Sequence, residues 1–163
     1  AKVFYSILDL GGRPDMAPML FTKAILSEEK IKVFNNGKNF RDFTYIDDVV
    51  DSIIKCCGKP AEKNKNFDPL NPDPSTSYAA HRIFNIGNSS PVNVMEFIKI
   101  LEKYLNKKAK IEFYPKQPGD VIKTGADTSL LEEWIDYSPS TSLENGIKFF
   151  TDWYKNNDAL RYS

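Results

Sequence analysis

The chain is poor in the residues that most catalytic and structural site chemistry requires. Its two cysteines, Cys56 and Cys57, are adjacent, and neighbours on a helix point in different directions, so they form neither a disulfide framework nor a metal pair. His81 is the single histidine and stands in no Ser-His-Asp, Cys-His or His-x-Glu-x-x-His pattern, so no nucleophile–base pair or zinc motif is assigned. No segment reads as a strand followed by G-x-G-x-x-G, the loop whose backbone N–H groups hold a dinucleotide pyrophosphate. No apolar run approaches the roughly 18 residues that cross a bilayer, and the first residues lack the layout of a signal peptide. Excess charge is missing too: 22 basic residues balance 22 acidic ones. This argues against nucleic acid or a membrane surface as the main partner. A reduced, cytoplasmic setting is the expectation.

What is present suits one globular unit. At 163 residues, with 41% hydrophobic and 27% charged side chains, the chain is long enough to bury roughly 70% of its extended surface. Strand and helix patterns alternate without an internal repeat, which predicts an α/β class. A buried strand is expected within residues 1–10 and a helix over 15–27. A second helix after Asp47-Asp48 is expected to bury Val49, Val50, Ile53, Ile54 and Cys57. Residues 58–81 carry four prolines and little periodicity, which reads as a long mobile loop. Arg82–Gly87 reads as a strand, and a helix follows from Asn93 with Glu96 three residues on. Ile111 and Phe113 mark a further strand, and two more helices begin near Asp127-Thr128 and Thr141-Ser142.

The stretch from Val33 to Asp48, VFNNGKNFRDFTYIDD, is the most informative. Asn36-Gly37 tolerates the positive φ of a two-residue hairpin loop, so a strand, a turn and a returning strand are predicted, with Arg41 on the return. A guanidinium on a short rigid element is well placed to take a phosphate or carboxylate through two parallel hydrogen bonds. An ion pair with Asp42, Asp47 or Asp48 is the alternative use of that charge.

Gly12-Arg13-Pro14-Asp15-Met16, Asn35-Asn36-Gly37, Arg41 to Asp48, Phe84 to Pro91, and Gln117 to Val121 followed by Ala126-Asp127 occur in that order. Together they resemble the C-terminal half of the NAD-dependent nucleotide-sugar epimerases of the extended short-chain dehydrogenase/reductase family, in particular the glucuronate 4-epimerase branch. The resemblance implies residues 1–163 as a single substrate-binding region plus the last parallel strands of that fold. The Rossmann half, with the NAD loop and a catalytic Tyr-x-x-x-Lys pair, is expected to lie outside these residues. NAD is thus the implied cofactor of the full-length family, with none expected on this chain alone. The implied partner is a UDP-sugar, and a homodimer is the implied assembly.

The resemblance also carries roles to individual positions. Arg41 matches an arginine that binds the UDP diphosphate. Lys32, through its backbone, and Phe34, through its ring, match the strand lining the uracil. Gln117 stands where many relatives place an arginine near the pyrophosphate, Asp120 matches an acid accepting from the ribose hydroxyls, and Arg13 and Ser6 match groups near the sugar carboxylate. Leu8 to Gly12 departs from the Y-G-P-W-G of relatives. The implied function is the nucleotide-sugar-binding part of a UDP-glucuronate 4-epimerase-like isomerase, inactive as this chain alone. The alternatives are a noncatalytic UDP-sugar-binding or protein-interaction module, and a related UDP-glucuronate decarboxylase or sugar 4,6-dehydratase.

Overall fold

The computed structural model describes residues 2–3 and 16–157. In chain order the elements are β1 (Lys2–Val3), α1 (Ala17–Leu26), β2 (Lys30–Val33), β3 (Phe40–Arg41), β4 (Phe43–Thr44), α2 (Ile46–Gly58), β5 (Val92–Asn93), α3 (Val94–Leu105), β6 (Lys110–Phe113), α4 (Ser129–Ile135) and α5 (Leu143–Asn156). Strands pair as β1 with β4 and β2 with β6, both parallel, and as β3 with β5, antiparallel. The α/β class expected from the sequence holds.

Local chemistry sets most element ends. Pro18 lies in the first turn of α1, where a missing N–H costs nothing. The Asn93 side chain accepts from Met95 N–H at 2.8 Å to cap α3, and the Ser142 hydroxyl accepts from Asn145 N–H at 3.2 Å to cap α5. These side chains satisfy amides that have no partner inside the helix.

The main core forms where α1, α3 and α5 close over the β2–β6 pair. Ile25, Ile31, Val33, Phe43, Phe97, Ile98, Leu101, Leu105 and Ile147 are its buried members. Phe43 and Phe97 stack at 4.7 Å between ring centroids. α3 buries the stripe its periodicity predicts, Phe97, Ile98, Leu101 and Leu105.

Three expectations are corrected. The Asn36-Gly37 turn exists, with both residues at positive φ and Lys38 N–H closing on the Asn35 carbonyl at 2.9 Å. Its flanks, however, do not form a hairpin, because β2 pairs with β6 and β3 with β5. Asn35 is also at positive φ, and this third left-handed residue turns the chain off the path back along β2.

The second correction concerns α2. Its buried residues are Asp48, Val49 and Ser52, while Val50, Ile53 and Ile54 are 38%, 50% and 61% exposed. The apolar periodicity was real, but the buried carboxylate of Asp48 fixes the rotation of the helix. It accepts from Thr141 N–H at 3.0 Å, from the Thr141 hydroxyl at 3.1 Å and from the Tyr137 hydroxyl at 3.2 Å. Burying that carboxylate requires those partners, and they lie on the side opposite Ile53 and Ile54.

The third is residues 82–87, which form no strand ladder. Arg82 makes only an isolated bridge to Thr76. Burial still alternates along the segment, with Ile83 exposed and Phe84 and Ile86 half-buried, so the pleat is there without a ladder partner among the described residues. The preceding 58–81 segment folds back on itself through Lys63–Ala80 and a 2.8 Å bond from Asn64 N–H to the Ser77 carbonyl. Its aspartate and asparagine side chains close local turns onto Asn66, Leu70 and Ser75.

Candidate functional site

Arg41 is placed by strand alternation. Successive residues of an extended chain point to opposite faces, so Arg41 and Asp42 diverge. The Asp42 carboxylate turns inward, is 1% exposed, and accepts from the N–H groups of Ser89 at 3.2 Å and Ser90 at 3.1 Å. Arg41 turns to the other side and meets the segment after β6. The ion pair that sequence reasoning set against ligand binding therefore exists, but its partner is Asp120 rather than Asp42, Asp47 or Asp48.

Arg41 Nη2 donates to Asp120 Oδ1 at 2.7 Å, and Nη1 donates to the carbonyls of Phe40 at 2.8 Å and Val121 at 2.9 Å. The other carboxylate oxygen of Asp120 accepts from Asn39 Nδ2 at 2.8 Å, and Asn39 Oδ1 accepts from Asn35 Nδ2 at 2.8 Å. A continuous polar chain, Asn35–Asn39–Asp120–Arg41, thus ties the Asn36-Gly37 turn to the Gln117–Asp120 turn. The Arg41 and Asp120 side chains are 13% and 26% exposed, so the pair is largely withdrawn from solvent yet reachable. A guanidinium offers five N–H donors. The Nε–H and one Nη2–H of Arg41 have no partner among the described residues, and they remain available to an oxyanion.

Two glycines shape the two turns. Gly37 has φ +76°, and a Cβ there would lie 2.8 Å from Met95 Cγ and Sδ. Gly119 has φ +79°, follows Pro118, and lets Asp120 N–H close on the Gln117 carbonyl at 3.2 Å. Proline then glycine at the two central positions is the signature of a type II turn, and this turn presents Asp120 to Arg41.

The other sequence-derived positions fall as follows. Phe34 leaves β2 into the tight turn rather than lying on the strand, and its ring packs on Tyr114 at 5.6 Å. Lys32 is on β2 opposite Glu112, with its side chain exposed and its ammonium 6.0 Å from the same Tyr114 ring. Burial pushes the Tyr114 hydroxyl up, with Glu112 adding to the effect. Gln117 is exposed and enters the turn through its backbone. The structure thus brings Arg41 and Asp120 together, leaves Gln117 at the head of the same turn with its side chain exposed, and separately places Lys32 and Phe34 beside Tyr114. Ser6, Arg13 and the Leu8 to Gly12 departure lie outside the described residues.

Two residues of the site were missed by sequence reasoning, Asn39 and Tyr114. Asn39 is 7% exposed, and its position two before Arg41 was a usable signal, since extended residues two apart share a face. Tyr114 directly follows β6 and offered no comparable signal.

A Tyr-x-x-x-Lys spacing does occur at Tyr104 and Lys108. Tyr104 Oη donates to Glu144 at 3.0 Å, and Lys108, beyond the left-handed end of α3 at Asn106, pairs with Glu102 at 3.0 Å. The two side chains serve different carboxylates, so they are not assigned as a proton-transfer pair. Among the described residues, no group of three or more His, Cys, Asp or Glu could hold a metal ion.

Residues 10–87 match a sequence model described as the NAD dependent epimerase/dehydratase family. The protein CapI of Staphylococcus aureus is 44% identical over 93% of this chain and 45% of its own length. A probable UDP-glucuronate 4-epimerase of Rhizobium meliloti is 37% identical over 94% of this chain and 46% of its own length. The crystal structure of the Bacillus cereus UDP-glucuronic acid 4-epimerase in complex with UDP-glucuronic acid and NAD superposes with a TM-score of 0.70. It is 30% identical, with 88% of this chain and 41% of that one covered. The chain spans a little under half the length of these curated relatives. Residues 10–87 thus carry a domain of the NAD dependent epimerase/dehydratase family, and the α/β fold of the chain is that of part of the extended short-chain dehydrogenase/reductases.

Proposed function

We propose that residues 1–163 supply the nucleotide-diphosphate wall of a UDP-glucuronate 4-epimerase-like enzyme. The observation that carries this reading is the largely shielded Arg41 guanidinium. It is oriented by Asp120 and by three carbonyls and keeps two N–H groups for an oxyanion. A diphosphate fits that fork because charge-assisted hydrogen bonds from a fixed guanidinium are directional as well as strong.

In this reading Asp120 holds the guanidinium in place and offers its carboxylate to the ribose hydroxyls, while Gln117 at the start of the same turn adds an uncharged donor toward the pyrophosphate. Phe34 and Tyr114 form an aromatic wall beside the Lys32 strand for the uracil. Ser6 and Arg13 would face the sugar carboxylate. Keeping that carboxylate still matters, because a 4-keto sugar with an adjacent carboxylate loses carbon dioxide readily.

NAD is implied by the family, and its chemistry there is to accept and return the hydride at the sugar carbon. The donor set of this chain does not fit it. No glycine-rich loop is present to hold a pyrophosphate, and the only Tyr-x-x-x-Lys spacing is committed to Glu144 and Glu102. No catalytic step is therefore assigned to these residues, and the proposed role is to bind and orient the nucleotide.

Titration of the chain with UDP, followed by NMR, tests the proposal. UDP should shift the Arg41 side-chain and Asp120 amide resonances, with a dissociation constant weaker than about 1 μM because only one wall of the site is supplied. Arg41→Ala should weaken binding roughly ten- to hundredfold, as expected for a lost charge-assisted bond of about 1.5 to 3 kcal/mol. Absence of shifts at millimolar UDP, submicromolar affinity, or an unchanged affinity in Arg41→Ala would each overturn it.

A further inference from the structure

A cavity of about 330 Å³ lies between the folded-back 58–84 segment and α4, and it shares no residue with the Arg41 network. Its apolar walls are Ile83, Phe84, Leu130 and the Trp134 ring, and its polar lining includes Lys59 and Arg82. A volume of this order suits a small molecule or the end of a larger one.

The charge arrangement is uneven. Lys59 Nζ lies 4.6 Å and the Arg82 guanidinium carbon 5.1 Å from the centroid of the same Trp134 ring. Two side-chain-to-backbone bonds fix the Lys59–Trp134 part of this geometry: Trp134 Nε1–H donates to the Lys59 carbonyl at 3.1 Å, and Lys59 Nζ donates to the Trp134 carbonyl at 2.6 Å. Neither cation has a carboxylate at ion-pair distance among the described residues. Glu133 is the one carboxylate in the lining, set against two cations.

Arg82 Nε is buried and has no hydrogen-bond partner among the described residues. The acid nearest in influence is Asp73. Its carboxylate accepts from Ser75 N–H at 2.9 Å and from the Ser75 hydroxyl at 2.8 Å. Those bonds hold its carboxyl below the usual range, with Arg82 contributing only through its charge. Both bonds fall on Oδ1, and neither carboxylate oxygen accepts from Arg82. The guanidinium charge is thus met by no carboxylate at ion-pair distance among the described residues, and an oxyanion in the cavity would offset that charge.

We propose that this cavity binds an oxyanion bearing an apolar group, a phosphate monoester or a carboxylate, with Arg82 and Lys59 holding the charge. Trp134, Phe84 and Leu130 take the apolar part. Arg82 is the principal donor because no described carboxylate or carbonyl takes the Nη N–H groups of its guanidinium. Lys59 already spends one of its three N–H donors on the Trp134 carbonyl and supplies charge with the remainder.

The probe is phenyl phosphate, followed through the Trp134 indole N–H resonance, which Trp134→Phe identifies. Saturable shifts of that resonance are expected. Inorganic phosphate should shift it more weakly, and benzyl alcohol should leave it in place. Benzoate in parallel distinguishes a carboxylate from a phosphate as the preferred oxyanion. Arg82→Gln should weaken phenyl phosphate binding by about tenfold or more. Arg82→Lys, which keeps the charge and loses the guanidinium fork, should weaken it several-fold with the fold intact. Arg41→Ala should change nothing at this resonance, which separates the outcome from that of the UDP reading. No shift at about 20 mM phenyl phosphate, an equal response to benzyl alcohol, or wild-type affinity in Arg82→Gln or Arg82→Lys would overturn the proposal.

Discussion

Arg41 and Asp120, 79 residues apart in the chain, meet at 2.7 Å, and Asp120 uses its second oxygen to hold Asn39 at 2.8 Å. The carboxylate therefore has two tasks. It orients the guanidinium through one oxygen and joins it through the other to the Asn36-Gly37 turn. It also neutralises much of the charge that an incoming anion would meet.

Replacing Asp120 by Asn separates these tasks. The side-chain shape persists while the negative charge goes, so Arg41 becomes the uncompensated cation of a partly shielded site. Pyrophosphate should bind Asp120→Asn several-fold more tightly than wild type. UDP should gain less, because the ribose acceptor is weakened at the same time. Calorimetric titration with both ligands gives the comparison, and equal gains for UDP and pyrophosphate would remove the ribose role from Asp120.

Gly37 is constrained twice. Its φ of +76° lies in the left-handed region, and a Cβ would lie 2.8 Å from two atoms of Met95. The Gly37 carbonyl also accepts from Asn93 Nδ2 at 2.9 Å, so movement of the turn disturbs the cap of α3. Gly37→Ala should destabilise the fold by about 1 to 3 kcal/mol, measured by urea unfolding. Gly119→Ala shares the positive φ but has open space around its Cβ and should cost less. Equal losses in the two variants would show that Met95 accommodates the methyl group.

The features legible in the sequence are those fixed within a few residues. The Asn36-Gly37 turn, the Asn93 cap and the Pro118-Gly119 turn all follow from side-chain chemistry acting over two to four positions, and the start of α5 was legible to within one residue, its cap being Ser142 where the Thr141–Glu144 spacing pointed to Thr141. The pairing of β2 was not legible in the same way, because its partner β6 lies far along the chain and turn chemistry at residue 37 says nothing about it. The outward rotation of α2 was hidden for a related reason: the apolar stripe of Ile53 and Ile54 outweighed one aspartate in the pattern, while in space Tyr137 and Thr141 converge on that aspartate. Arg41 and Asp120 each stood out in the sequence as candidates, whereas their contact, and the place of Asn39 between the two turns, required the tertiary fold.

Tyr137 links α2 to the α4–α5 connection and should give stability an alkaline limit. Burial pushes its hydroxyl from 10.0 up to about 12, and the charges of Asp48, which accepts its hydrogen bond, and Asp51 add to this. A raised value in the folded state means that the neutral phenol is favoured by folding. Its contribution is therefore complete below pH 10 and disappears as the pH rises through 12. Urea midpoints for wild type should fall more steeply between about pH 10 and 12 than those of Tyr137→Phe, which has no ionisable group there. Parallel curves would show that Tyr137 titrates as it does in the unfolded chain.

The orientation of α2 against that of α3 can be checked by a pair of substitutions whose outcomes sequence pattern alone would rank together. Phe97 is fully buried and stacked on Phe43, so Phe97→Ala should lose about 3 to 5 kcal/mol through lost burial and the cavity left behind. Ile54 is equally apolar and sits at an equally regular helical position, yet it is 61% exposed. Ile54→Glu should therefore stay within about 0.5 kcal/mol of wild type. Asp48→Ala, which removes the acceptor of the Thr141 N–H and hydroxyl and of the Tyr137 hydroxyl, should be the costly change on α2, at about 1 to 3 kcal/mol for each donor left buried without a partner. Chemical unfolding of the three variants distinguishes the two faces. A severe loss in Ile54→Glu with a mild one in Asp48→Ala would mean that the helix is rotated to bury its apolar stripe.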